Sequence, residues 1–337
     1  MTGNPAGIQP QACPSWGKCP VFILFGPTAA GKTAVLERLF TGEGALDAEI
    51  ISADSMQVYR GMRIGTAKPP PHLCERLPHH LIDIRNPDEQ FNVGDFVRLA
   101  EDAVRDIAGR GKLPVISGGT GFYISNFVNG LPDAPPSDTA IRVALKAELK
   151  ERGGGGLMEE LRACDAASAA RIHQNDEYRL LRALEVFRLT GKPLSSYKMH
   201  RDGEKKSAGK FFIAGLERRR DELYRRIDTR CREMIQAGLY DEVKSLFESG
   251  YTPRYQALKA IGYKEFFYED GNGEYQMLDQ SLLPDIEKLI AKNSRQYAKR
   301  QSTYFKNMSG TEWFSLDGEG ASFEVVTKKI RERLHGI

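Results

Sequence analysis

The stretch Gly26-Pro27-Thr28-Ala29-Ala30-Gly31-Lys32-Thr33 constrains this chain more than any other. It has the pattern G-x-x-x-x-G-K-[ST], follows the apolar run Val21 to Phe25, and precedes a helix predicted from Ala34 to Phe40. A strand, a glycine-rich loop and a helix start in that order make a phosphate cradle. The helix N-terminus offers unpaired N–H groups and the positive end of the helix dipole. Gly31 lets the backbone curl around an anion without a side chain in the way. Lys32 can reach a terminal phosphate, and the Thr33 hydroxyl suits a Mg²⁺ ion. An ordinary glycine-rich turn would not explain Lys-Thr after Gly31.

With 337 residues the chain has room for one large core or two domains. A formal net charge of +3 permits a nucleic-acid partner without demanding one. The five cysteines are scattered and form no C-x-x-C pair, which argues against a disulfide framework or a zinc site and for a reducing, cytoplasmic setting. No apolar run approaches a membrane span, so no membrane partner is expected. Residues 1–19 lack a signal-peptide core and read as a flexible N-terminal extension.

A second strand, Ala48 to Ala53, ends at Asp54-Ser55-Met56-Gln57. Functional side chains of α/β sheets cluster beyond the carboxyl ends of strands. Asp54 stands at such an end, although Asp there also caps turns. Gly65-Thr66-Ala67-Lys68-Pro69 opens an extended, proline-rich connection, and His79 to Ile84 reads as a short strand. The paired histidines suggest a metal, but neighbours on a strand face opposite ways, so a structural role is expected. A helix is predicted from Asn92 to about Ala108. The strand Leu113 to Ser117 leads into a second glycine-rich loop, Gly118-Gly119-Thr120-Gly121, which is either a tight turn or a place where substrate meets backbone.

Composition shifts at Leu131-Pro132-Asp133-Ala134-Pro135-Pro136, a linker. The next seventy or so residues carry helical periodicity and no convincing strand. A helix over Ile141 to Lys150 is expected to break at Gly153 to Gly156 and resume at Leu157, and another runs from Glu177 to Leu189. Arg201 to Lys206 reads as a surface loop. The strand Phe211 to Ala214 is expected to rejoin the first sheet. A long helix follows from about Asp221 to Ala237, with Arg226 and Arg230 on one face as either a diphosphate clamp or a solvated pair. Ala257 to Lys264 reads as the start of a further helix. Lys292, Arg295, Lys299, Arg300 and Lys306, interleaved with Tyr297, Tyr304 and Phe305, have the composition of a surface that tracks a nucleic-acid backbone. The alternative is a solvated helix with its rings in the core.

The expected fold is therefore α/β: a P-loop core of the nucleotide-hydrolase type with a parallel sheet and C-terminal helices, formed by 20–135 and 208–337, interrupted by a helical insertion over 136–207.

Taken together, the phosphate cradle, Asp54-Ser55-Met56-Gln57-Val58-Tyr59, Gly65-Thr66-Ala67-Lys68-Pro69, His80-Leu81-Ile82-Asp83, Gly118 to Tyr123, Arg179-Leu180-Leu181-Arg182-Ala183-Leu184-Glu185 and Ile261-Gly262-Tyr263 closely resemble the tRNA dimethylallyltransferase (isopentenyltransferase) family. The resemblance runs from about Val21 to Phe305. Ala30 departs from it, since the family often has Ser there; the loop binds through backbone amides, so little loss is expected. Without a Cys/His zinc-finger extension, the bacterial form is expected.

The resemblance implies transfer of a dimethylallyl group from dimethylallyl diphosphate to N6 of the adenosine adjacent to the tRNA anticodon, with release of diphosphate. It implies Asp54 as general base, Thr28 beside the bridging oxygen and Arg230 on the leaving group. Gly26, Pro27, Thr28, Ala29, Ala30, Gly31, Lys32 and Thr33 would bind the donor, with Mg²⁺ held through Thr33. Asp54, Ser55, Met56, Gln57, Thr120, Arg142, Tyr178, Arg179, Leu180, Leu181 and Arg182 would contact the anticodon stem-loop, from which the adenosine is flipped. A monomer is expected. The rival readings are an ATP-binding small-molecule kinase, a tRNA-binding protein that has lost catalysis, and prenylation of a free adenine nucleotide.

Overall fold

The structure, a computed structural model, describes residues 19–42, 45–131, 133–197, 210–318 and 322–336. All but Cys19 of the N-terminal extension over 1–19, and the polar segment Arg201 to Lys206, lie outside the described residues.

The chain divides into two compact units, one of residues 1–128 with 207–337 and one of 129–206. The first opens with β1 (Val21–Phe25), α1 (Lys32–Phe40), β2 (Ala48–Ser52), α2 (Pro71–Arg76), β3 (His79–His80), α3 (Val93–Gly109), β4 (Leu113–Gly118) and α4 (Gly121–Asn129). The second holds α5 (Thr139–Cys164), α6 (Ala166–Ala169) and α7 (Glu177–Thr190). The chain returns to the first through β5 (Phe211–Glu217), α8 (Arg220–Gln236), α9 (Leu239–Glu248), β6 (Phe267–Glu269), β7 (Tyr275–Met277), α10 (Leu283–Phe305), β8 (Thr311–Ser315) and α11 (Phe323–Leu334).

Six strands form a parallel sheet in the order β3-β2-β4-β1-β5-β8. All five residues of β1 are fully buried, which explains an apolar run with no alternation: a parallel strand is covered on both faces. One face packs on α1 and α11 through Leu36, Leu39, Val326 and Ile330. Residues of α8, α9 and α10, among them Leu223, Val243 and Ile290, pack with Val58, Tyr59 and Met62 of the β2–α2 connection. Because β4 and β5 flank β1, and β2 lies beyond β4, the carboxyl ends of β1, β2 and β4 meet at one edge of the sheet. Glycine is required there: a Cβ on Gly118 would lie 2.0 Å from the Ala53 carbonyl oxygen.

The buried carboxylate in β2, Glu49, accepts from Arg110 and from His80 Nε2 at 2.8 Å. The hydrogen bond from Arg110 holds it well below the usual carboxylate range. His79 bonds instead to the Leu77 carbonyl at 2.6 Å, so the two histidines have separate partners.

Some expected elements differ. The break over Gly153 to Gly156 is confined to Gly153 (φ 69°, ψ 171°) inside α5. Ala257 to Lys264 is not a helix but two short 3-10 turns, Ala257–Lys259 and Lys264–Phe266, separated by Gly262 at φ 93°. A left-handed glycine cannot continue a right-handed helix. Strand β8 adds a sheet edge that the sequence reading did not anticipate, and α11 is one of the expected C-terminal helices.

Within the second unit, Leu145, Leu157, Leu161, Leu180, Leu181 and Leu184 form a separate apolar core. No helix among the described residues is long and apolar enough to cross a membrane.

Candidate active site

The cradle follows β1 directly, and α1 begins at Lys32 with Gly31 as its N-cap at φ 108° and no side-chain cap. The first-turn amides of α1 therefore have no intrahelical acceptor. The Ala30 side chain is fully buried against the sheet and α1, on the core side of the loop. That is the physical reason Ala serves at this position. Ala29 adopts φ 62°, uncommon for a residue with a Cβ, and the Arg226 Nε donates to its carbonyl at 2.9 Å. Arg218 does the same for Ala30 at 2.9 Å. Arg230, one turn beyond Arg226, donates to the Thr28 hydroxyl at 3.3 Å. The face of α8 that could have been solvated is thus turned to the cradle.

The Lys32 ammonium donates to the carbonyls of Gly26 (2.9 Å) and Pro27 (3.1 Å). Burial, with the Arg230 charge in support and Asp54 in opposition, brings its pKa down to about 8. Burial also lowers the Arg230 pKa, again opposed by Asp54. Asp54 is therefore the anion within electrostatic reach of both cations. Its Oδ1 accepts from the amides of Met56 (2.9 Å) and Gln57 (3.3 Å), so the turn-capping reading is realised. Capping uses Oδ1 and leaves Oδ2 for other chemistry.

A cavity of about 950 Å³ joins these groups, with Lys32, Thr33, Asp54, Arg226 and Arg230 on its walls. The second glycine loop closes one side. Thr120 Oγ1 accepts from the Ser55 amide at 3.0 Å. Gln57 links Ser52 (2.9 Å) to the carbonyls of Thr66 and Ala67 (3.3 Å each). Tyr297 also lines the cavity; burial, and then Asp54, push its pKa up to about 12.

Two functional residues were not singled out from sequence. Gln301 Oε1 accepts from the Thr28 amide at 2.9 Å, and its Nε2 donates to the Gly119 carbonyl at 2.8 Å. The signal was available in the spacing: Ala298, Gln301 and Phe305 are all buried, on one face of α10. Glu242 of α9 accepts from the amides of Arg63 (2.9 Å), Ile64 (2.7 Å) and Gly65 (3.2 Å) and from the Tyr263 hydroxyl (2.7 Å). It joins the Gly65 and Gly262 motifs, which stand far apart in sequence. No local pattern marks such a residue.

The basic stretch of α10 is divided. Lys292, Lys299, Arg300 and Lys306 are exposed, as is Tyr304, whereas Phe305 is buried and stacks on Phe25 at 4.5 Å. Arg295 is paired with Asp228.

Within the second unit, Tyr178 and Arg179 are exposed, and the Arg142 guanidinium lies 5.0 Å from the Tyr178 ring centre. Arg142 and Arg182 both bind the fully buried carboxylate of Glu185, at 3.2 and 2.9 Å. Burial pushes the Glu185 pKa up, but its bonds from Ser137 and Arg182 outweigh this and hold it below the ordinary value. Leu180 and Leu181 require a correction. They are 0% and 4% exposed in the apolar core of this unit, so their side chains hold the helix in place and do not offer RNA contacts.

The IPP transferase family model matches residues 57–308, beginning just beyond Asp54. A tRNA dimethylallyltransferase of Geobacter sulfurreducens is 39% identical over 97% of this chain and 99% of its own length. One from Geobacillus thermodenitrificans is 46% identical over 94% and 96%. Among solved structures, a tRNA isopentenylpyrophosphate transferase of Bacillus halodurans is 37% identical with TM-score 0.62, covering 94% of this chain and 96% of that one. A eukaryotic dimethylallyltransferase acting on tRNA is 25% identical with TM-score 0.76, over 94% and 80%. A cradle, an acid and two arginines at one sheet edge, in a chain alike to these along nearly its whole length, place this protein in the tRNA dimethylallyltransferase (IPP transferase) family.

Proposed function

We propose that this protein transfers the dimethylallyl group of dimethylallyl diphosphate to N6 of the adenosine adjacent to the anticodon of tRNA. One observation carries the reading: Asp54 shares a single cavity with Lys32 and Arg230, within electrostatic reach of both. A diphosphate needs the cations and an amine needs the carboxylate.

The cradle amides at the start of α1, with Lys32, bind the diphosphate. Arg230 and Thr28 lie against the bridging oxygen, where charge develops as the allylic C–O bond breaks. The adenine N6 lone pair is delocalised into the ring, so the amine is a weak nucleophile. As its nitrogen bonds to the allylic carbon, Asp54 takes the proton that N6 loses, and diphosphate departs with the C–O electron pair. Mg²⁺ fits the residues present. No cluster of three or more His, Cys, Asp or Glu that could cage a metal occurs among the described residues, but Thr33 on the cavity wall supplies one hydroxyl. Mg²⁺ is commonly held by few protein ligands plus phosphate oxygens. Bound there, it would neutralise charge on the leaving group.

The exposed cations of α10, and Tyr178 and Arg179 of the insertion, are suited to the tRNA backbone. We take the enzyme to act in the cytoplasm as a monomer. The test is incubation with dimethylallyl diphosphate, Mg²⁺ and undermodified tRNA, with AMP as the competing acceptor. Prenylated adenosine in tRNA supports the reading. Product only on AMP, or on neither, would sink it.

A further inference from the structure

Gln301 lies in the most cationic stretch of the chain, yet it is uncharged and only 6% exposed. It accepts from the Thr28 amide and donates to the Gly119 carbonyl, at 2.9 and 2.8 Å. These partners fix the orientation of its amide, because an N–H can only donate and a carbonyl only accept. A primary amide offers both functions side by side, whereas a carboxylate or an ammonium offers only one.

The two partners stand on opposite sides of the reaction. Thr28 belongs to the donor cradle. Gly119 precedes Thr120, which holds the Ser55 amide beside Asp54. Gln301 therefore ties the donor loop to the loop that places the base. Two observations indicate a built link. A Cβ on Gly119 would lie 2.6 Å from Gln301 Nε2, so the approach depends on glycine. Tyr297, one turn earlier on α10, lines the same cavity, and the neighbouring Gln301 and Thr120 side chains both favour its ionised form. The Thr28 amide is also withdrawn from the set that can hold an anion, as is the Ala30 amide, which donates to the Pro27 carbonyl at 3.2 Å. Gln301 thus lines the cavity with its amide oxygen and one N–H held by these two backbone partners.

We infer that Gln301 is a positioning residue for the transfer, setting the separation between the allylic carbon and the adenine amine. It acts on kcat and not on the binding of either substrate. The inference rests on the transfer reading above.

Gln301→Ala breaks the bridge from one side, and Gly119→Ala breaks it from the other by driving the amide out. Each variant and the double variant are assayed for kcat at saturating dimethylallyl diphosphate and tRNA. The Kd of each substrate is measured separately, in an Asp54→Asn background that blocks turnover. Each single variant is expected to lower kcat by roughly 10–100-fold, as small misplacements of reacting groups do. Both Kd values should stay within about 3-fold of the parent, which also shows that the variants fold. The double variant should be no slower than the slower single, because the second change finds the bridge already broken. Unchanged kcat, multiplicative losses, a loss confined to Kd, or variants that bind neither substrate would each overturn the inference. If the unmutated chain itself makes no prenylated tRNA, the transfer reading fails and this inference falls with it. If it does and the variants match it, only the inference fails.

Discussion

Arg230 donates to the hydroxyl of Thr28 across 3.3 Å, from one turn beyond Arg226, which holds the carbonyl of Ala29 at 2.9 Å. One helix thus grips the cradle backbone with one guanidinium and, with the next, the hydroxyl proposed to face the departing diphosphate. Arg230→Ala should cut kcat by roughly 10²–10³-fold, the usual cost of removing a donor aimed at developing charge. Arg226→Ala should mainly raise the KM for the donor, because it shapes the loop. Comparing kcat and KM for the two variants checks the division; equal effects on kcat would refute it.

Asp54→Asn keeps an Oδ1 acceptor for the Met56 and Gln57 amides and removes only the ability to take a proton. The rate should fall by roughly 10²–10⁴-fold, in the range of a lost general base. Thermal stability and donor affinity should hold. A midpoint drop comparable to that of a core mutant would show that Asp54 is only a turn cap.

Lys32 gives the pH dependence. Its pKa of about 8 in the free enzyme means that the ammonium is charged below that value and lost above it. A diphosphate favours the charged form, so it binds best below pH 8. Donor affinity should fall as pH rises through 8, by up to tenfold per unit. Lys32→Met should bind weakly with no such step. Titrating dimethylallyl diphosphate from pH 7 to 9.5 distinguishes the two.

Gly65 is packed so tightly on Tyr263 that a Cβ would lie 2.5 Å from the ring. Gly65→Ala should cost about 1–3 kcal/mol, the usual range for overpacking. Tyr263→Phe, which removes a hydrogen bond to the Glu242 carboxylate, should cost about 1.5–3 kcal/mol. Denaturant midpoints report both.

The insertion separates stability from recognition within one helix. Leu180→Ala and Leu181→Ala should each cost about 2–5 kcal/mol by leaving a core cavity. Tyr178→Ala and Arg179→Ala should leave the denaturant midpoint almost unchanged and weaken tRNA binding. For Arg179→Ala, the slope of log K against log salt should shrink by about one. A stability loss in the exposed pair, or none in the leucines, would contradict the placement.

Sequence by itself determined the elements whose information is local. The Val21 to Phe25 run, Gly31-Lys32-Thr33 and the glycines after β4 fix a strand, a cradle and a sharp turn, because φ freedom, missing Cβ atoms and unpaired helix-end amides act over a few residues. That was enough to mark Asp54 and the cradle. Where side chains point across long separations, spacing left two readings open. Arg226 and Arg230 could have been solvated, and only the packing of α8 against α10 and the β2–α2 connection turned them to the loop. Leu180 and Leu181 shared a motif with Arg179 and Arg182, but a helix with an apolar core on one side sends them inward. Spacing put Gln301 on the apolar face of α10 with Ala298 and Phe305, but its partners, like those of Glu242, were decided by tertiary structure alone. Each is a polar side chain whose partners are mainly backbone atoms, and backbone atoms leave no signature in a sequence.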